Sequence, residues 1–379
     1  MGGSTVEHKL QGFTRPDFEL GSPAVNVVDL FAGCGGLSLG IAQAANAQGL
    51  ATDIKLAVDH EDAPTAVFSA NFAKATVETA SVDDFFNGEL GARPTALEKR
   101  TKQDTGDVHI LVGGPPCQGH SDLNNRTRRD DPKNALYSRM ARAAEVLLPA
   151  FVMIENVPTV RHDISDVVGT TRTHLEKKGY VVAEATIPLH ALGVAQRRRR
   201  HVLLASKIKA LDPAVVLRDL CDRRPDPKCN LGWAIRDLEK VSDPTGYDTP
   251  PRANAENVRR MQYLLDEGLY DLPNEERPPC HQDSHSYKSM YGRLNWQLPA
   301  QTITSGFGSI GQGRYMHPNL LRALTPHEAA RIQGFPDYFD FSLVSKRADL
   351  ATMIGNAVPP ALSREIASML MVQLVPGLK

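Results

Sequence analysis

The chain has 379 residues, 41% hydrophobic and 23% charged, a composition that excludes disordered, collagen-like and coiled-coil proteins and predicts two to three domains at roughly 150 residues each. Its 43 Lys+Arg and 44 Asp+Glu leave a formal charge of -1, so a polyanion would have to meet a local basic patch on a balanced surface. Five scattered cysteines (Cys34, Cys117, Cys221, Cys229, Cys280) exclude a disulfide framework. In chain order, apolar runs at 25–30, 54–58, 108–112, 151–154, 180–187 and 201–204 alternate with helical spacing at 37–47, 63–72, 135–148 and 167–178. Continuous apolar runs separated by helices predict a mostly parallel α/β sheet covered on both faces. Segment 85–107 is charged and pattern-poor and reads as an inserted surface loop or helix. From Lys207 to Cys280 there are nine prolines, a density that predicts a loop-rich second module without long helices. Strand-like, glycine-punctuated sequence is expected at 301–313. A helix opened by Thr325-Pro326 with Glu328 at the capping-box position follows, and an amphipathic helix runs from 360 to 374.

Two loops carry chemistry. Val27-Val28-Asp29-Leu30-Phe31-Ala32-Gly33-Cys34-Gly35-Gly36 runs from strand into a glycine turn and a helix, where backbone can approach a ligand and free N–H groups await it. Asp59, ending the second strand, suits ribose hydroxyls, and Phe31 suits an adenine face. Position 38 is Ser, where the dinucleotide fingerprint requires Gly. The second loop, Gly113-Gly114-Pro115-Pro116-Cys117-Gln118, is rigid and lies at the carboxyl end of a strand. A cysteine held there reads as a nucleophile, and Glu155 at the end of the next strand as a general acid. In Gln196-Arg197-Arg198-Arg199-Arg200, strand alternation sends Arg198 and Arg200 to one side. Cys280-His281 and His285 lack CxxC support, so no metal is expected.

Six ordered motifs resemble the DNA (cytosine-5) methyltransferases: Phe-Ala-Gly-Cys-Gly-Gly, Gly-Gly-Pro-Pro-Cys-Gln, Glu-Asn-Val, Gln-x-Arg-x-Arg, the block Arg322 to Pro336, and Gly355-Asn356-Ala357-Val358-Pro359-Pro360. The resemblance covers 25–206 and about 290–376. It implies a Rossmann-like S-adenosylmethionine-dependent fold with a smaller loop-rich target-recognition domain. The expected divisions are an N-terminal extension at 1–24, a catalytic domain at 25–206, target recognition and hinge at 207–348, and a segment at 349–379 that returns to the catalytic domain.

By that resemblance Cys117 attacks C6 of cytosine, Glu155 holds or protonates N3, Arg200 steadies the base, and Arg198 serves DNA or loop geometry. Phe31, Gly33, Gly35, Asp59, His60, Pro116, Leu136 and Asn356 are the implied cofactor positions. His60 and His120 stand where family members usually carry other aromatics. The loop after Cys117, with Arg126, Arg128 and Arg129, is expected on DNA phosphates, and Arg293, Thr302 and Thr304 near the DNA. The implied reaction is methylation of a flipped cytosine in double-stranded DNA by a monomer, sequence-specifically, alone or beside a separate cognate restriction endonuclease. A cytoplasmic, prokaryotic, nucleoid-associated protein without membrane contact follows. The alternatives are an RNA (tRNA) cytosine-5 methyltransferase and, more distantly, an NAD-linked α/β oxidoreductase. Basic charge concentrates at 197–209, with net +6, and at 122–142, with net +3.

Overall fold

The computed structural model describes residues 8–19, 21–116, 135–241, 246–282 and 289–378. In chain order these form β1 (Ala24–Leu30), α1 (Gly36–Ala47), β2 (Ala51–Asp59), α2 (Asp62–Asn71), β3 (Val77–Thr79), α3 (Ala96–Thr105), β4 (Ile110–Gly113), α4 (Ala135–Leu147), β5 (Phe151–Asn156), α5 (Val167–Lys177), β6 (Val181–Pro188) and β7 (Arg199–Ser206). They continue as α6 (Pro213–Asp222), α7 (Leu231–Ile235), α8 (Ala255–Asp266), α9 (Pro326–Gln333), α10 (Arg347–Asn356) and α11 (Pro360–Leu378). Two compact units emerge: a larger one of Pro16–Leu192, Arg199–Arg224 and the chain from Val358 on, and a smaller one of the residues up to Arg15, Gly193–Arg198 and Pro225–Ala357.

The larger unit is built on a seven-stranded sheet in the order β3-β2-β1-β4-β5-β7-β6. Strands β1 to β5 pair in parallel, and β7 runs antiparallel between β5 and β6. The parallel strands are apolar throughout because both faces are covered. Val28 and Leu30 of β1, Leu111 of β4, Val152 and Ile154 of β5 and Leu203 of β7 pack with Tyr137, Met140 and Ala144 of α4 and Val168 and Leu175 of α5. On the opposite face α1 packs against β1 and β2, with α11 laid on it. Gly40 makes that pairing possible, since a Cβ there would lie 2.1 Å from the Pro360 carbonyl oxygen and from Ser363 Oγ.

Segment 85–107 is not a purely superficial insertion. Phe86 and Glu98 are fully buried. Helix α3 is opened by a capping box between Thr95 and Glu98. Glu98 also takes two hydrogen bonds from Arg142 of α4, at 2.8 and 2.6 Å, and one from the Gly88 N–H at 2.8 Å. Glu98 is thus satisfied from within, while Glu89, Arg93, Lys99, Arg100, Lys102, Asp104 and Asp107 stay exposed as the charge pattern suggested.

Proline density at 207–280 does not exclude helices. Pro213 occupies the first turn of α6, where no N–H is missed, and the twelve-residue α8 begins beyond Pro250 and Pro251, capped by Asn254. The expected strand at 301–313 is absent as well: its described residues form turns and one 3-10 turn at Ile310–Gln312, and the smaller unit holds isolated bridges such as Gln196 to Ala300. Glycines at 306, 308, 311 and 313 interrupt the alternation that a ladder needs. The smaller unit coheres instead through an apolar cluster of Met261, Leu264, Leu272, Tyr291, Ile310 and Met316 and through buried polar groups. Arg331, 1% exposed, is ion-paired to Asp337 and donates to the Ala234 carbonyl. His327 bridges Asp248 (2.8 Å) and Asp337 (3.0 Å) while stacking on Tyr247. The Thr325 to Glu328 capping box opens α9 as expected.

Candidate active site

The carboxyl ends of β1, β2, β4 and β5 all open on one side of the larger unit, and strand order reverses between β1 and β4. Open α/β sheets bind ligands outside this reversal. The turn after β1 stands there. Phe31 has φ 58°, Gly33 φ 54° and Gly35 φ 95°. This left-handed backbone is natural for glycine and strained for Phe31. A Cβ on Gly35 would come within 2.9 Å of the Phe68 ring, whereas one on Gly33 would meet nothing within 4 Å. Gly35 is thus required by packing, and Gly33 leaves open space beside the turn.

Asp59, at the end of β2, accepts from the Gly33 N–H at 2.9 Å through Oδ2 and from the Glu61 N–H at 3.1 Å through Oδ1. It fixes the turn and keeps further lone pairs for a ligand hydroxyl. His60 Nδ1 lies 3.4 Å from Asp59 Oδ1, with its side chain 70% exposed. Cys34, in the turn, is buried, and burial pushes its thiol up to about 12, which removes it as a nucleophile. The departure at position 38 has a structural explanation: the Ser38 hydroxyl donates at 2.6 Å to the buried carboxylate of Asp29, a bond no glycine could make.

On the other side of the reversal, β4 leads into Gly114-Pro115-Pro116. Gly113 is obligatory, since a Cβ there would sit 2.5 Å from the Leu30 carbonyl oxygen. Asn156, which the sequence argument left without a role, donates from Nδ2 to the Pro115 carbonyl at 3.1 Å and so ties this loop to the end of β5. Its neighbour Glu155 is buried, with Oε1 2.5 Å from Arg200 Nε. Its Oε2 lies 3.2 Å from where a Gly114 Cβ would stand. The structure thus brings the Gly33 turn and Asp59 together by hydrogen bond, and Glu155, Arg200 and the Pro-Pro loop by contact. Leu136 is half-buried on the first turn of α4, and Pro116 is half-buried at the edge of the described chain. Cys117, His120, Arg126, Arg128 and Arg129 lie outside the described residues.

Other expected site residues belong to the smaller unit. Arg198, 2% exposed, donates to the carbonyls of Ile303 (2.7 Å) and Gly355 (3.3 Å), so it ties two loops of that unit together. Asn356 is exposed at the end of α10. Thr304 Oγ1 bonds Tyr315 Oη at 2.9 Å, and Thr302 Oγ1 donates to the Arg197 carbonyl at 3.4 Å. Arg293 donates to the Leu264 carbonyl at 3.0 Å and covers the Tyr270 ring. The continuous basic run of 197–209 is divided by the fold. Arg199 and Arg200 begin β7 next to the carboxyl end of β5, whereas Lys207, bonded through its N–H to the Ala150 carbonyl, lies beyond the amino end of β5. Eight residues of strand, roughly 25 Å, separate them.

The profile of the C-5 cytosine-specific DNA methylases matches residues 25–371, nearly the whole chain. The chain belongs to that family. This methylase is 44% identical over 355 residues to the Type II methyltransferase M1.BsuMI of Bacillus subtilis (strain 168), covering 93% of this chain and 82% of the relative. It is 30% identical to the Type II methylase M.HgiDII of Herpetosiphon aurantiacus, over 90% of this chain and 93% of the relative. Among solved structures, a putative DNA modification methyltransferase from an E. coli prophage superposes with a TM-score of 0.63 at 23% identity, covering 93% of this chain and 99% of that one. The S. pombe Dnmt2 methyltransferase gives 0.62 at 17% identity, covering 93% and 99%. At these identities the structural matches show a shared fold.

Proposed function

We propose that this DNA (cytosine-5) methyltransferase uses S-adenosylmethionine to methylate a cytosine flipped out of duplex DNA, through a covalent adduct with Cys117, at a specific sequence as its type II relatives' names suggest. The observation that carries this reading is the convergence, at the carboxyl ends of neighbouring strands, of the open Gly33 turn with Asp59 and of the Glu155–Arg200 pair with the Pro115-Pro116 loop leading to Cys117.

The residues present suit the cofactor. Gly33 leaves space beside the backbone and Asp59 retains lone pairs at the strand end. Phe31 would face the adenine, with His60, Pro116 and Leu136 lining the same site and Asn356 joining from the last motif. When bound, the cofactor supplies an electrophilic methyl group. The thiolate of Cys117 adds to C6 of the cytosine, which moves an electron pair to C5, the carbon that must act as nucleophile. Glu155, held by Arg200, hydrogen-bonds or protonates N3 and lowers the cost of charge on the ring. Once C5 carries the methyl group, its proton leaves and the Cys117–C6 bond breaks, releasing enzyme and 5-methylcytosine. Flipping costs a few kcal/mol of stacking and pairing.

The smaller unit is the proposed target-recognition domain, with Thr302 and Thr304 near DNA and Arg293 shaping the Tyr270 surface. Arg126, Arg128 and Arg129 are proposed phosphate contacts, whose loss should reduce the salt dependence of binding. Cys117→Ser should abolish methyl transfer while leaving duplex binding intact. Wild-type enzyme should be trapped covalently on a 5-fluorocytosine duplex, and wild-type rates from the serine variant would refute the adduct. Bisulfite sequencing of DNA from expressing cells reads the target sequence.

A further inference from the structure

The turn after β1 is bracketed by two carboxyl groups of different character. Asp59 is satisfied by two backbone N–H groups. Asp29, one residue before the end of β1, is fully buried; Oδ2 accepts from Ser38 Oγ, and Oδ1 has no hydrogen-bond partner among the described residues. Among the described residues, no cation is paired with it. Helix α1, packed over it, contributes Ser38 and carries no ionisable side chain. Its registered neighbours in the sheet are Ala57 of β2 and Val112 of β4. Cys34 stays neutral, and Asp59 adds negative charge. On α11, which packs on α1, Arg364 and Glu365 pair with each other, and Glu365 pairs with Arg223. His60, beside Asp59, is exposed.

We propose that Asp29, set by Ser38, is a positioning residue for the cofactor turn whose proton is lost when a cationic cofactor binds, so that the enzyme prefers the sulfonium-bearing methyl donor over its uncharged thioether product. A fully buried carboxyl answered only by neutral donors, with one oxygen left unpartnered among the described residues, favours its neutral form. Burial pushes Asp29 up to about 7 against the hydroxyl and the backbone N–H of Ser38, and Asp59 pushes it further. A positive charge held near the turn favours the ionised form. By linkage the proton leaves as the cation binds, and affinity for that cation rises with pH through neutrality. The thioether product lacks this charge and gains less. The role is exercised through the turn and its field, without contact to the reacting atoms, and it rests on the proposed use of S-adenosylmethionine.

The test is calorimetric titration of the full-length enzyme with S-adenosylmethionine and with S-adenosylhomocysteine, from pH 6 to 8 in two buffers of different ionisation enthalpy. Wild type should release roughly 0.3 to 0.5 proton per S-adenosylmethionine at pH 7, with affinity rising roughly fivefold from pH 6 to 8 and a smaller rise for the thioether. Asp29→Asn should flatten both. Ser38→Ala, which keeps the acid and removes its donor, should move the midpoint to higher pH, and this keeps the question open to measurement if the asparagine variant folds poorly. Equal proton release by Asp29→Asn, or an unmoved midpoint in Ser38→Ala, overturns the inference. Absence of S-adenosylmethionine binding by wild type at any pH would instead overturn the cofactor reading on which it stands.

Discussion

Two regions of the larger unit bury a carboxyl group and treat it in opposite ways. In the 85–107 insertion, burial alone would raise the Glu98 carboxyl, yet hydrogen bonds from Arg142, Thr95 and Gly88 hold it down at about 2. Under the turn after β1, burial lifts Asp29 to about 7, against only the hydroxyl and backbone N–H of Ser38. The same burial yields a permanent charge where a guanidinium answers it and a neutral-range acid where only uncharged donors do. The first arrangement fastens a segment to the sheet. The second leaves a group free to change state.

The sharpest way to break the comparison is to remove the answering cation. Arg142→Met should leave Glu98 and Glu145 buried without their shared partner and cost about 3–5 kcal/mol, read as a lowered urea midpoint. A loss under 1 kcal/mol would mean the insertion is not held by this pair. Next comes pH. The unfolded value of Asp29 is near 3.8 and its folded value is raised, so its contribution to stability is fully present below 3.8 and is lost as pH rises through about 7. Glu98 has the opposite sign: its contribution is present above 4.5 and lost as pH falls towards 2. Relative to wild type, Asp29→Asn should therefore gain stability between pH 4 and pH 8, by about 2–4 kcal/mol at roughly 1.4 kcal/mol per pKa unit. A difference constant across that range would show that Asp29 does not titrate there. The smallest expected effect is Thr95→Ala, which removes one half of the α3 capping box and should cost about 1 kcal/mol by thermal or urea unfolding. If it matched Arg142→Met, the cap rather than the ion pair would be the anchor.

His327 supplies a third case. Burial alone would lower its pKa, but Asp248 and Asp337 on either side raise it. Its contribution is fully present below about 6.5 and lost as pH rises through the raised value, in the same direction as Asp29 but from a cation.

How much of this was legible in sequence varied with the range of the interaction. The strand runs, the glycine turn, Asp59, Glu155 and the Thr325 capping box lie within local windows whose periodicity or spacing carries the signal, and each occupies its expected element. The burial of Glu98 was not legible, because its partner Arg142 lies 44 residues away on another helix. Asn156 was visible only as part of a motif, since its bond to Pro115 spans 41 residues and two strands. The alternation expected of Arg198 and Arg200 does not hold, because β7 begins at Arg199 and leaves Arg198 before the strand; which carbonyls or carboxylates receive the two is a matter of tertiary neighbours. The glycines of 301–313 and the prolines of 207–280 misled in opposite directions, because their effect depends on whether they fall inside an element or at its start.

The amino-acid sequence by itself determined the alternation of strands and helices, the two loops that carry the chemistry and the family to which they belong, all properties of residues close together along the chain. Only the tertiary structure decided that β7 divides one basic run into two separated ends, that Ser38 at a glycine position bonds Asp29, and that one buried acid is held by a guanidinium while the other is left to the uncharged donors of Ser38. Desolvation and hydrogen bonding depend on what surrounds an atom in space, and those surroundings exist only once the sheet has assembled.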